Sequence, residues 1–186
     1  LEYTLNNNII LLGIMGCGKT SIGRCLANIL GYGFIDLDEW IEHIHKSSVS
    51  SIIKERGIDN FRSYENDAFS EISSIKNHVI SIGGGAVVDN RNLTKAKNLG
   101  MLIWIEVPTH VIAWRMSKNI SEIKKRPLLL SALSYKDIED REDEVKNILD
   151  DLLRQRVSQY KKANLIVSDS YSTPLEYAKK IKKSIY

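Results

Sequence analysis

Asn8-Ile9-Ile10-Leu11-Leu12-Gly13-Ile14-Met15-Gly16-Cys17-Gly18-Lys19-Thr20 decides how this chain folds. Asn8 to Leu12 is a short, nearly all-apolar run, the pattern of a parallel strand buried on both faces. Gly13 to Thr20 matches G-x-x-x-x-G-K-[ST]. Its glycines let the backbone curl so that successive N–H groups point at phosphate oxygens. The helix that follows turns its positive end on the same anion. A lysine at the position of Lys19 reaches the β- and γ-phosphates of a nucleotide, and a hydroxyl at Thr20 ligates Mg²⁺. Lys19 to Leu30 then carries Ile22, Leu26, Ile29 and Leu30 at helical spacing and stops at Gly31, a residue suited to a helix C-cap.

Outward from this unit the order of elements repeats. Phe34-Ile35-Asp36, Val79-Ile80-Ser81-Ile82, Met101 to Glu106 and Leu165-Ile166-Val167 are four more short apolar runs, and helical patterns fill the gaps between them. Strands alternating with helices predict a parallel sheet covered on both faces. The expectation is one α/β domain over residues 1–186 in three layers, with about five parallel strands. Leu1 to Asn7 is left out of this reading as a remnant or an imperfect start. The stretch from Ser117 to Ser134 holds Lys118, Lys124, Lys125, Arg126 and Pro127 without clean periodicity. Connections of this length in compact domains are usually functional, so a mobile lid is expected over about 117–134.

Composition narrows the function. The chain has 186 residues, 43% hydrophobic and 26% charged, with a net charge of +3, too small to suggest a nucleic-acid partner. The basic run Lys179 to Lys183 is interleaved with Ile181 and Ile185 and is expected to be a solvated helix face. No run of about 18 apolar residues and no export signal is present, so no membrane association is expected. Cys17 and Cys25 form no C-x-x-C pair, which argues against a zinc knuckle or disulfide framework and for a reducing cytoplasm. Cys17, beside a helix N-terminus, is a candidate reactive thiol. His43, His45, His78 and His110 have no metal-ligand spacing. Trp40, Trp104 and Trp114 lie on apolar patterns and are expected in the core. With no exposed apolar stripe unassigned, a monomer is expected.

Several residues outside the loop point to chemistry. Asp36 and Asp38 lie at the carboxyl end of the second strand, where open α/β sheets bind ligands. In extended backbone, side chains two apart share a face, so both carboxylates can reach toward bound phosphates. Two close carboxylates call for a cation. Asp36 holding magnesium through water and Asp38 facing a substrate hydroxyl meet that need; a helix N-cap at Asp38 is the structural alternative. The third strand ends in Gly83-Gly84-Gly85 with no acid, which leaves Asp36 as the acidic metal partner and lets backbone approach a small ligand. Arg156 shares a helical stripe with Leu149, Leu152 and Tyr160, where a guanidinium needs a carboxylate partner. Arg62 has Glu65 one turn later as a structural partner. Arg126, before Pro127, can close on a transferring phosphate.

The chain resembles shikimate kinase over nearly its whole length. The matching pieces are Gly13–Thr20, Asp36-x-Asp38, Gly57-x-x-x-Phe61-Arg62-x-x-Glu65, Gly83-Gly84-Gly85, Arg126-Pro127-Leu128-Leu129 and Arg156-x-x-x-Tyr160. The resemblance implies a three-layer P-loop kinase fold with a lid and a substrate-binding helical region over about 38–66. It implies transfer of the ATP γ-phosphate to the 3-hydroxyl of shikimate, giving shikimate 3-phosphate and ADP in aromatic amino-acid biosynthesis, with Mg²⁺ as cofactor. It also implies roles. Lys19, Asp38 and Arg126 are catalytic, with Asp38 the proton acceptor. Gly16, Cys17, Gly18, Lys19, Thr20, Ser21, Arg115 and Arg126 bind nucleotide, with Arg115 near adenine. Asp38, Arg62, Gly83, Gly84, Gly85 and Arg156 bind substrate, the two arginines gripping its carboxylate; Thr20 and Asp36 serve the metal. Two departures stand out: the stretches 117–125 and 127–156 are longer than the family pattern, and Ser168 to Thr173 holds no arginine for adenine. The alternatives are a kinase of another small hydroxy acid such as gluconate, or a non-catalytic nucleotide-binding module. A GTPase-type switch lacks its guanine-reading N-K-x-D segment here.

Overall fold

The computed structural model describes residues 8–186; the first seven residues of the expected 1–186 domain lie outside it. Five parallel strands, β1 (Asn8–Leu12), β2 (Gly33–Asp36), β3 (His78–Ser81), β4 (Gly100–Glu106) and β5 (Leu165–Ser168), form one sheet in the order β2-β3-β1-β4-β5. β1 is central, with Ile10 paired to Ile80 on one side and to Leu102 on the other. Every residue of β1 is buried. That explains the uninterrupted apolar run, since each face of this strand meets a covering layer.

The period of two divides the core. Ile9, Leu11, Ile103, Ile105 and Val167 pack with α1 (Lys19–Leu30), α5 (Thr109–Ser117), α7 (Ile138–Tyr160) and α8 (Pro174–Ile185). Ile10, Leu12, Ile80, Leu102 and Trp104 face the other way, against α2 (Leu37–His45), α3 (Val49–Glu71) and α4 (Asn90–Leu99). The result is the expected three-layer P-loop arrangement, with all five carboxyl ends on one side and the Gly13–Thr20 loop over the middle. Next to β1 the chain turns to β3 on one side and to β4 on the other, the kind of switch point where such sheets bind ligands.

Several elements differ from expectation. The run Ser117–Ser134 is not bare loop: Ser117 closes α5, α6 spans Ile120–Lys124, and a 3₁₀ segment spans Pro127–Ser134. Asn119 caps α6, Pro127 opens the 3₁₀ segment, and Ile123, Leu129 and Ala132 are buried beneath them, so local caps and three apolar anchors impose order. α3 is interrupted at Gly57, whose φ of 83° and ψ of 165° kink it. Trp104 is core, but Trp114 is 51% exposed, on the face of α5 opposite Val111, Ile112 and Met116, with the Lys118 ammonium 3.7 Å from its ring centroid. Lys179, Lys180, Lys182 and Lys183 form an exposed face over buried Ile181. The acid-rich start of α7 suits a helix N-terminus: Asp137 caps it, and Glu139 and Asp140 occupy its first turn. No helix is long and apolar enough to cross a membrane among the described residues.

Candidate active site

The loop after β1 is built by its glycines. Gly16 and Gly18 have φ values of 79° and 96°, in the left-handed region open to glycine, and a Cβ on Gly16 would lie 2.5 Å from the Met116 terminal methyl. α1 starts at Gly18 with no side-chain cap and no acid in its first turn, whereas Asp36, Ser48, Asp89, Asp137 and Thr173 cap their helices. Uncapped N–H groups at a positive helix end suit an anion. Lys19 Nζ donates to the carbonyls of Gly13 and Ile14, at 2.8 and 3.2 Å.

This loop floors a cavity of about 900 Å³ that most of the expected site residues line: Gly16, Gly18, Lys19, Thr20, Ser21, Asp36, Asp38, Arg62, Gly83, Gly84, Gly85, Arg115, Arg126 and Arg156. Cys17 is the exception. Its side chain is 1% exposed, packed into the core beneath the loop, and its N–H donates to Ile14 O. The tight curl turns Cys17 inward, so the thiol expected to be reactive is buried and its side chain does not line the cavity. A groove of about 690 Å³ along α7 is lined by none of these residues.

The aspartates reach the cavity by a route other than the expected one. β2 ends at Asp36, and Asp36, not Asp38, caps α2 by accepting from Asp38 N at 3.1 Å. Asp38 therefore stands in the first helical turn rather than in extended backbone. Asp36 Oδ2 also accepts from the Thr20 hydroxyl at 2.7 Å, joining the metal-binding pair named from the sequence. The Asp38 carboxyl is pushed up to about 6, first by burial and then by Asp36 and Glu42, with Lys19 and Arg62 opposing.

Arg62 and Arg156 both approach the triple glycine. A Cβ on Gly85 would strike the Arg62 guanidinium, and one on Gly84 would lie 3.2 Å from Arg156 Nη1 and 3.0 Å from Gly13 O. Buried Tyr160 donates its hydroxyl to Gly84 O, and burial pushes that phenol up to about 12. Arg62 also makes the structural pair expected of it, donating to Glu65 Oε2 at 2.5 Å. Glu65 appears in the sequence motif but was not assigned to the site, and it is fully buried at the cavity wall. Its Oε1 has no hydrogen-bond partner among the described residues, and burial pushes its carboxyl up to about 7 against the pull of Arg62. Asp38 Oδ1 and Glu65 Oε1 both lie over Gly83, each 3.0 Å from where a Cβ would be. Glu42, one turn after Asp38, lines the same cavity; its signal was the i, i+4 spacing. Apolar Val49, Ile53, Ile58 and Phe61 complete this half.

On the other half, Arg115 donates to Ser170 O at 3.1 Å, which joins α5 to the turn after β5. Arg126 is held by Glu122 of the same wall: Nη1 donates to Oε2 at 2.8 Å and to the Glu122 carbonyl at 2.5 Å. No cluster of three or more His, Cys, Asp or Glu side chains able to cage a metal occurs among the described residues. The oxygens of Thr20 and Asp36 are hard donors of the kind magnesium takes one or two at a time when phosphates supply the rest.

A phosphate-binding loop, a lysine and a second, cationic subsite in one cavity define a P-loop kinase acting on small molecules. The model of the shikimate kinase family matches residues 15–186. Shikimate kinase from Nostoc sp. is 33% identical over 179 residues, covering 96% of this chain and 90% of that protein; the Prochlorococcus marinus enzyme is 36% identical over 177 residues, covering 95% and 86%. The structure of shikimate kinase from Acinetobacter baumannii in complex with shikimate superposes with a TM-score of 0.83 at 30% identity, covering 97% of this chain and 93% of that one. The chain belongs to the shikimate kinase family. A sugar kinase from Janibacter sp., 15% identical with a TM-score of 0.59, shares the fold alone.

Proposed function

We propose that the chain transfers the γ-phosphate of ATP to the 3-hydroxyl of shikimate, giving shikimate 3-phosphate and ADP. One observation carries the proposal: a single cavity joins the uncapped loop and Lys19 to a second subsite where Arg62 and Arg156 flank Gly83–Gly85 beside Asp38. The first half suits polyphosphate. The second suits a small carboxylate with hydroxyls and an apolar ring face, which Val49, Ile53, Ile58 and Phe61 would cover.

In this assignment Arg62 and Arg156 hold the substrate carboxylate, two guanidiniums being matched to a planar anion. Gly84 and its neighbours let backbone approach the ring. Asp38 accepts the proton of the attacking hydroxyl; a carboxyl near 6 is ionised at neutral pH yet basic enough to share a proton in the transition state. Glu65 holds Arg62, and its unpartnered oxygen is free to accept from a substrate hydroxyl. Transfer runs in line through a loose transition state, so positioning and charge neutralisation by Lys19 and Arg126 carry most of the rate. Magnesium, when bound with the nucleotide through Thr20 and Asp36, supplies charge neutralisation on the phosphate oxygens. The backbone of Gly16–Gly18 and the side chains of Thr20 and Ser21 bind phosphate, and Arg115 lies toward the base. Residues 117–134 act as a lid that excludes water. A cytoplasmic monomer without a nucleic-acid partner completes the proposal.

The test is coupled ADP release with purified protein and MgATP. Fast release with shikimate, and background rates with gluconate or no acceptor, support the assignment. ATP binding without stimulation by shikimate refutes the acceptor.

A further inference from the structure

Glu122 is an anion that lines the same cavity as the phosphate loop. It stands in α6 beside Asn119, Lys125 and Arg126, and all four line the cavity that holds Lys19 and Thr20. Its carboxylate is shared between the two cations. Oε1 accepts from Lys125 Nζ at 2.7 Å, and Oε2 accepts from Arg126 Nη1 at 2.8 Å. Those bonds hold the carboxyl below the usual glutamate range, so the clasp is charged at neutral pH. Arg126 side-chain exposure is 25% and that of Glu122 is 34%, so both keep contact with the space a nucleotide enters.

We propose that Glu122 is a built-in stand-in for phosphate: its carboxylate occupies the Lys125–Arg126 cation pair, and ATP binds by exchanging a phosphate oxygen for it. The inference rests on the kinase assignment above. Both anions draw on the same two positive charges, since the carboxylate takes one donor of Lys125 and Nη1 of Arg126, and charges already neutralised by Glu122 attract a phosphate less. A carboxylate left beside a bound γ-phosphate would repel it. The exchange therefore works against ATP affinity while keeping Arg126 paired until its ligand arrives. Glu122 acts through Arg126 and Lys125 and is a positioning residue. A purely structural role, in which these i+3 and i+4 pairs only stabilise α6, predicts the opposite sign: loss of Glu122 would fray the wall that carries Arg126 and weaken nucleotide binding.

The test is calorimetric binding of MgATP and MgADP to the full chain without acceptor. Wild type, Glu122→Gln and Glu122→Ala are compared at low and high KCl, with thermal melts to confirm folding. Exposed ion pairs set the scale, so both variants should bind MgATP about two- to five-fold tighter. The gain should shrink in high salt, where exposed charges are screened. MgADP, which ends at the β-phosphate, should gain less. Unchanged or weaker MgATP binding in both folded variants overturns the inference, as does an equal or larger gain for MgADP. Wild type that binds MgATP without shikimate-dependent turnover would remove the acceptor assignment and leave this inference standing.

Discussion

Replacing Asp38 by Asn should make the protein more stable and nearly inactive, with the stability gain confined to neutral and alkaline pH. In the folded chain the Asp38 carboxyl binds its proton at about 6, against the usual 3.8, because burial and the neighbouring carboxylates of Asp36 and Glu42 disfavour its charge. The folded state thus holds the proton more tightly than the unfolded one. Stability falls as pH rises from about 4 to about 6, and the full penalty remains above that window. At about 1.4 kcal/mol per tenfold change in proton affinity, the penalty is ~3 kcal/mol at most. Asparagine abolishes it but needs partners for its own amide, so a gain of ~1–3 kcal/mol at pH 8 is expected. For a chain of this size that raises Tm by roughly 2–10 °C. Circular-dichroism melts of both proteins at pH 4, 6 and 8 read this directly, alongside turnover, which should fall about 10²- to 10⁴-fold with the proton acceptor gone. A difference in Tm equal at pH 4 and pH 8, or no gain at pH 8, would refute the claim that the site stores this charge.

Lys19→Met should abolish turnover while thermal melts stay near wild type; near-normal kcat would remove Lys19 from the transferring phosphate. Arg156→Ala should raise KM for shikimate about 10- to 100-fold, the loss expected of a charged hydrogen-bonding partner, with KM for ATP little changed. An equal rise in both would sink the carboxylate assignment. Tyr160→Phe leaves the Gly84 carbonyl without its buried donor, so unfolding should cost roughly 1–3 kcal/mol less. KM for shikimate should rise with it, because Gly84 loses its anchor; unchanged stability in urea melts would contradict this.

What the sequence carries most clearly is what local physics dictates. A strand buried on both faces must be apolar throughout, so β1 is visible at once. Glycines at left-handed positions mark the phosphate loop and the end of α1, where Gly31 has φ 70°. The site was legible as a set of residue types, since Asp36, Asp38, Arg62, the triple glycine and Arg156 do meet in one cavity. What was not legible depends on one-residue boundaries and on partners distant in sequence. The cap fell on Asp36 rather than Asp38 because β2 stops one residue before the helix begins. The inward turn of Cys17 follows from the loop's curl, not from its composition. Trp114 lies on an apolar pattern yet faces outward, because α5 buries its other side. Order in residues 117–134 comes from Ile123, Leu129 and Ala132 meeting the core, and from Arg141 donating to Ser117, Tyr135 and Lys136 carbonyls, none of which periodicity could show. The unpartnered oxygen of Glu65 is visible only once the helix, the strand end and the cavity are assembled.

The central claim concerns where the phosphate goes, and product identification tests it most directly. Purified protein, MgATP and shikimate would be followed by ³¹P and ¹H NMR. The account predicts one new phosphomonoester, coupled to the proton on carbon 3 of shikimate and formed in step with ADP. Release of inorganic phosphate alone, or an ester at another hydroxyl, would contradict the way Asp38, Arg62 and Arg156 are assigned to hold the acceptor.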